Sequence, residues 1–141
     1  MSKASTIASY LQSVLQDSAD LSAVEDTNIW LGVKETITSF PCLVIESMGG
    51  ELVSETYPYE RRIKRFAVIG YIQEFNKDTS LTDLLDLENN VFKALSQDVT
   101  LDGNALDVNI RGEAEEFSQY PIRGFSIDVD VLYQQDRTER T

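Results

Sequence analysis

Hydrophobic and polar positions along this chain change period several times, and each change marks an element. Ile7, Tyr10, Leu11, Val14 and Leu15 recur at helical spacing behind Ser5 or Thr6, which predicts a helix over 5–17 capped by one of those hydroxyls. The segment "NIWLGVKET" has a short apolar core from Ile29 to Val33 and predicts a first strand. "FPCLVIESM" predicts a second; Pro41 precedes its paired part, because proline has no N–H to give a ladder, and Gly49-Gly50 breaks it. Residues 51–60 are polar around Tyr57-Pro58-Tyr59 and read as a loop or edge excursion. Residues 61–75 predict a long third strand. Its second half is apolar on both faces, with Phe66, Val68 and Ile72 on one and Ala67, Ile69 and Tyr71 on the other, so it belongs in the middle of a sheet.

The clearest helix is "NKDTSLTDLLDLENNVFKALSQD", where Leu81, Leu84, Leu85, Val91, Phe92 and Leu95 repeat near 3.6 residues and Glu88 interrupts the stripe. Ser80 with Asp83 three positions later gives its N-cap signature, and Asp83 and Asp86 lie near the positive end of the helix dipole. After Asp102-Gly103 a strand alternates through Leu106, Val108 and Ile110, and "GEAEEFSQYP" reads as an acidic connection. The last strand, "RGFSIDVDVLYQ", points Phe125, Ile127, Val129, Val131 and Tyr133 inward and Ser126, Asp128 and Asp130 outward. The predicted order is α-β-β-β-α-β-β. This is an α+β fold, a mixed β-sheet with two main helices packed on it, in a single domain over 1–141. Order is expected from about residue 5 to about 134, with 135–141 a flexible polar tail.

Composition narrows the function classes. With 42% hydrophobic and 26% charged residues the chain is an ordinary folded domain, and 141 residues suffice for a sizeable core. A formal charge of -12 opposes any large phosphate-binding surface. There is no histidine, which removes His-based catalysis, His metal sites and the usual serine triad. The lone Cys42 sits in an apolar run and reads as a buried, inert thiol. The start lacks the apolar core of a secretory signal, and "FAVIGYI" is too short for a membrane helix, so a soluble protein of a reducing compartment is expected. No glycine spacing matches a phosphate loop or a dinucleotide fingerprint. Asp128 and Asp130 could begin a hard-cation site, but no further ligands are identifiable and a solvated sheet face is the simpler reading. No catalytic group, metal or cofactor is therefore assigned, and no enzymatic activity is expected.

Four of the twelve basic residues, Arg61, Arg62, Lys64 and Arg65, fall within five positions at the start of the third strand. Alternation sends Arg61 and Arg65 to one face and Arg62 and Lys64 to the other, and no interleaved aromatics support base stacking. The cluster reads as a solvated strand end or as a basic contact patch on an acidic molecule, complementary to copies of itself, with a nucleic-acid patch the least favoured reading. Tyr57 and Tyr59 could join such a contact or cover a local core, and Trp30 reads as core. Glu113, Glu115 and Glu116 are the candidate acidic counter-surface, with a flexible solvated turn as the simpler reading.

The order of these features resembles the tail terminator (tail completion) proteins of long-tailed bacteriophages. The likeness rests on the short N-terminal helix, the Trp30–Gly32 strand, "SFPCLVIE", the basic-to-apolar strand "RRIKRFAVIGYI", the helix "TDLLDLENNVFKAL" and a two-strand finish, over about residues 5–134. The resemblance implies a homo-hexameric ring that caps the tail tube, stops its polymerisation and offers a surface for head–tail joining. It implies as partners other copies of the chain, the tail tube protein and a head-completion or connector protein. DNA would pass through the lumen without specific binding, and no membrane is involved. The place implied is the head–tail junction of the virion, after assembly in the host cytoplasm. The family offers no motif to carry over residue by residue. A neck, head-completion or other minor tail protein is the alternative, and a small-molecule-binding or enzymatic α+β domain is a further one.

Overall fold

The computed structural model describes residues 2–32, 37, 39–97, 100–101 and 103–136, the side chains of 115–118 excepted. Two helices, α1 (Lys3–Asp17) and α2 (Ser80–Leu95), pack with a five-stranded sheet of β1 (Ile29–Leu31), β2 (Cys42–Thr56), β3 (Tyr59–Gln73), β4 (Asp107–Gln119) and β5 (Ile122–Asp136). The strands lie in the order β1-β2-β3-β5-β4, with β1 parallel to β2 and the other neighbours antiparallel. The mixed α+β fold and the central position of the third strand are as the hydrophobic pattern predicts.

Side-chain alternation explains the layers. Phe66, Val68 and Ile72 of β3 face Phe125, Ile127, Val129, Val131 and Tyr133 of β5 and Leu43 and Ile45 of β2, and these join Ile7, Leu11 and Leu15 of α1 and Leu84, Leu87, Val91 and Leu95 of α2 in one core. Gly70 belongs to this face because the Phe125 ring lies on it; a Cβ there would clash with that ring. On the other face the exchange is reversed, and a Cβ at Gly124 would press into the Tyr71 ring at 2.8 Å. Each glycine thus accepts the ring of its neighbour's strand, one on either side of the sheet.

The strands run further than the pattern predicts. Residues 51–60 are not a loop. Gly49-Gly50 does not end β2 but forms a bulge, with one extra residue between the pairs Ser47–Phe66 and Gly50–Lys64 and with Gly49 at a φ of +90°. The pairing then continues to Thr56–Tyr59, where Tyr57-Pro58 makes the turn. The stretch read as an acidic connection is likewise strand: β4 runs to Gln119 and turns at Tyr120-Pro121. Both misreadings have one cause, since the few apolar residues of these segments, such as the adjacent Leu52 and Val53, do not alternate, so no period-2 signal remains. Gln135 and Asp136 belong to β5, whereas 137–141 lie outside the described residues. The first strand ends at Leu31; Val33 lies outside the described residues, as does Asp102.

Smaller corrections concern caps and faces. The N-cap of α1 is Ser2, which accepts the Ser5 N–H at 3.1 Å, rather than Ser5 or Thr6. Thr79 rather than Ser80 occupies the N-cap of α2, without a side-chain capping bond. Leu81 and Leu85, placed by spacing in the buried stripe, are each 50% exposed, and Leu87 takes their place in the core. Phe92 is only partly buried. Leu106 is exposed just ahead of β4, and Trp30 is half-buried. Ser126, expected outward to solvent, does point away from the helices but is buried there among its neighbours. Among the described residues no helix is long and apolar enough to cross a membrane.

Two outcomes follow from this packing. Leu84→Ala should cost about 2–5 kcal/mol while Leu85→Ala one position on stays within about 0.5 kcal/mol, compared in thermal melts. Equal losses at both positions would mean that the described orientation of α2 is wrong. Cys42 is fully buried, and burial pushes its thiol up to about 11 against an ordinary value near 9.0. An aromatic disulfide reagent at pH 8 should leave the native chain unmodified and titrate its single thiol on denaturation. The folded pKa is the higher one, so the thiol's contribution to stability is complete below pH 9 and falls as pH rises towards 11.

Candidate assembly surface

Beyond Ser47 on β2, and over residues 59–65 of β3, the sheet continues as an arm with Met48, Leu52, Val53, Tyr57 and Tyr59 exposed. Tyr57, at the turn, is 81% exposed. The outer edge of β2 pairs with β1 only from Leu43 to Ile45, and no described residue pairs with it further on. This edge carries two bulges, between Ser47 and Gly50 and between Leu52 and Ser54; β4 at the opposite edge also carries two, between Ile110 and Gly112 and between Ala114 and Phe117. Bulged edges twist away from a flat partner, so both discourage strand-to-strand pairing with another chain.

The four basic residues lie along the arm rather than at its tip, and the register divides them between faces as alternation requires. Arg61 Nε donates to Gln134 Oε1 at 3.3 Å. Arg62 Nη1 is 3.9 Å from Glu60 Oε1, which also accepts from Gln135 Nε2 at 2.7 Å, and the Glu60 side chain is fully enclosed. Lys64 has no ion-pair partner among the described residues. Arg65 is different. Its Nη2 is 2.8 Å from Glu51 Oε1 and its Nε is 3.7 Å from Asp130 Oδ1. Asp130 is shared with Arg111 Nε at 3.3 Å, and Arg111 Nη2 lies 3.6 Å from Asp128 Oδ2. Charges therefore alternate across β2, β3, β5 and β4 in a belt on the face that the helices leave open. Sequence reasoning named Asp128 and Asp130 but missed Arg111 and Glu51, because only the register brings them together.

Glu113 is exposed on β4, and Glu115 and Glu116 belong to the same strand, with side chains outside the described residues. Strand β5 stands between β4 and the basic arm, so one chain does not bring the acidic and basic candidates together. Among the described residues no group of three or more Cys, Asp or Glu side chains is arranged to hold a metal ion. The closest approach to acid–base chemistry is Glu74 with Asp83, beside a cavity of about 280 Å³ lined by Phe40, Pro41, Ile72 and Leu87. The Asn76 N–H, 2.9 Å from Glu74 Oε1, and a hydrogen bond from Asp83 hold the Glu74 carboxyl below its ordinary range, while the same bond and the Glu74 charge push Asp83 up. The two carboxyls are thus pushed apart in acidity, and the chain has no histidine to work with them.

No protein-family model matches this chain, and no curated protein matches it. Among solved structures, its fold is similar to that of a chain described as "Virion of native gene transfer agent (GTA) particle", with a TM-score of 0.59 and 7% sequence identity over 94% of this chain and 97% of that one. At that identity the likeness is one of fold, and it extends over nearly the whole length of both chains.

Proposed function

We propose that this chain is a structural protein of a tailed, phage-like particle, and within that class a tail terminator. Six copies close into a ring on the end of the tail tube, stop its growth and present their outer surface to the head connector. The observation that carries this reading is the near-complete fold match with a chain of a gene transfer agent virion. It agrees with the resemblance in element order, and the exposed apolar and basic arm adds a surface suited to assembly rather than to chemistry. A closed ring needs two different patches per subunit. The acidic balance of the whole molecule suits a lumen through which DNA slides without being held.

The direct test is electron microscopy of tail tubes grown with and without the chain. Capped ends and arrested growth are expected; tubes that lengthen freely with bare ends would remove the terminator assignment. Charge reversal separates the arm residues by role. The triple variant Arg61→Glu, Arg62→Glu, Lys64→Glu should keep its circular dichroism, melt lower because Arg62→Glu would face the enclosed Glu60, and lose capping because three charges then repel an acidic partner. Arg65→Glu should instead lower stability by about 1–3 kcal/mol, since it faces Glu51 and Asp130 within its own chain, and the loss should shrink in high salt. A triple variant that caps tubes normally would reduce the cluster to a solvated strand.

A further inference from the structure

Leu81 and Leu85 stand one turn apart on α2 and are half exposed, although the same helix buries five other residues. Exposed carboxylates flank them, Asp78 before the helix and Asp86 after Leu85. Next to them, Ser80 and Tyr120 line one cavity of about 290 Å³, and the exposed Tyr120 and Phe75 rings meet edge to face at 6.5 Å. Lys77 and Arg123 line that cavity too, with Lys77 Nζ 4.9 Å from the centre of the Tyr120 ring, so the acidic side of this apolar surface is the one that Asp78 and Asp86 border. The arm has the complementary character, divided between its faces: exposed Leu52 pairs with Arg62 on the same face as Lys64, and exposed Tyr59 shares the opposite face with Arg61.

These two surfaces cannot meet within one molecule. The arm covers residues 59–65 of β3 and α2 starts shortly after Gln73, so residues 66–73 of β3 lie between them. At about 3.3 Å per residue that is a separation of roughly 25 Å. We infer that the arm of one copy docks across the first two turns of α2 in a second copy, with Leu52 against Leu81 and Leu85 and with Arg62 and Lys64 against Asp78 and Asp86. The inference rests on the ring-forming reading and deepens it by naming the subunit contact. Charge complementarity selects the occupant: the apolar pair has an acidic border, and the arm is the cation-rich apolar segment of the same chain. The bulges on both outer strands argue against the other route to self-association, edge-to-edge pairing. Because the patches differ, the contact is head-to-tail, the kind that closes rings.

Two charge-reversed full-length chains test this. One carries Arg61→Glu, Arg62→Glu and Lys64→Glu in the arm; the other carries Asp78→Lys and Asp86→Lys on α2. Circular dichroism should match wild type for both, with a lower melting temperature where Arg62→Glu faces the enclosed Glu60 and where lysines replace aspartates near the start of α2. By sedimentation, wild type should form an oligomer, and each variant alone should need about tenfold or more higher concentration to do so. An equimolar mixture should regain the wild-type mass, because each reversed arm then meets a reversed helix. Undiminished assembly of the α2 variant, no recovery on mixing, or a wild type that stays monomeric at its solubility limit would each overturn the contact. Tube capping, scored separately, keeps the two ideas apart. Normal capping with an indifferent α2 variant rejects the contact and spares the terminator. Mass recovery on mixing with bare tubes rejects the terminator and spares the contact.

Discussion

The pairing of β3 with β5 is the interaction on which the other elements depend. It runs without a register shift from Tyr59–Asp136 to Gln73–Ile122, and all fifteen residues of β3 take part. Because side chains alternate, a slip of one residue would turn Phe66, Val68 and Ile72 out of the core together with Phe125, Ile127 and Val129. The reciprocal fit of Phe125 over Gly70 and Tyr71 over Gly124 opposes such a slip, since any other register would leave a ring facing a Cβ. Both helices pack on the face this register makes apolar. The ionic belt on the opposite face also needs Arg65 opposite Asp130. One alignment therefore serves the core and the charged surface at once.

What was legible in the sequence follows from where burial is one-sided. Strand β5 alternates strictly, and its five inward residues, Phe125 to Tyr133, are all buried. The two-faced apolar run of β3 placed it centrally. By contrast, residues 51–59 extend past the helices with both of their faces exposed or half-exposed, and in both 51–60 and 112–119 the sequence lacks the hydrophobic period that marks a strand. A Tyr-Pro pair closes each hairpin, and that repeated turn was the available signal. On α2 the leucines were all visible, but the division between Leu84 inside and Leu85 outside depends on how the helix rolls against β3 and β5. Spacing alone cannot choose between neighbours on a broad stripe.

The candidate surface was legible in kind but not in arrangement. The basic cluster was conspicuous because the rest of the molecule is acidic. That Arg65 is held by Glu51 and Asp130, while Lys64 has no ion-pair partner among the described residues, depends on strands distant in sequence being brought beside one another. The belt formed by Glu51, Arg65, Asp130, Arg111 and Asp128 crosses four strands, so no local motif announces it.

The bulge at Met48–Gly50 has a geometric consequence. An extra residue in one strand adds right-handed twist where the arm leaves the body, so the arm is rotated about its long axis relative to the layer beneath the helices. Units that join through a rotated lever are related by a turn rather than a plain shift, and an array of them bends. Loss of a single residue at this joint would straighten β2 while leaving Leu52 opposite Arg62, so the twist of the lever would change and the faces it presents would not. Curvature of an assembly built through the arm would then be set by one inserted residue, heritable as a three-nucleotide length change and adjustable without touching the core.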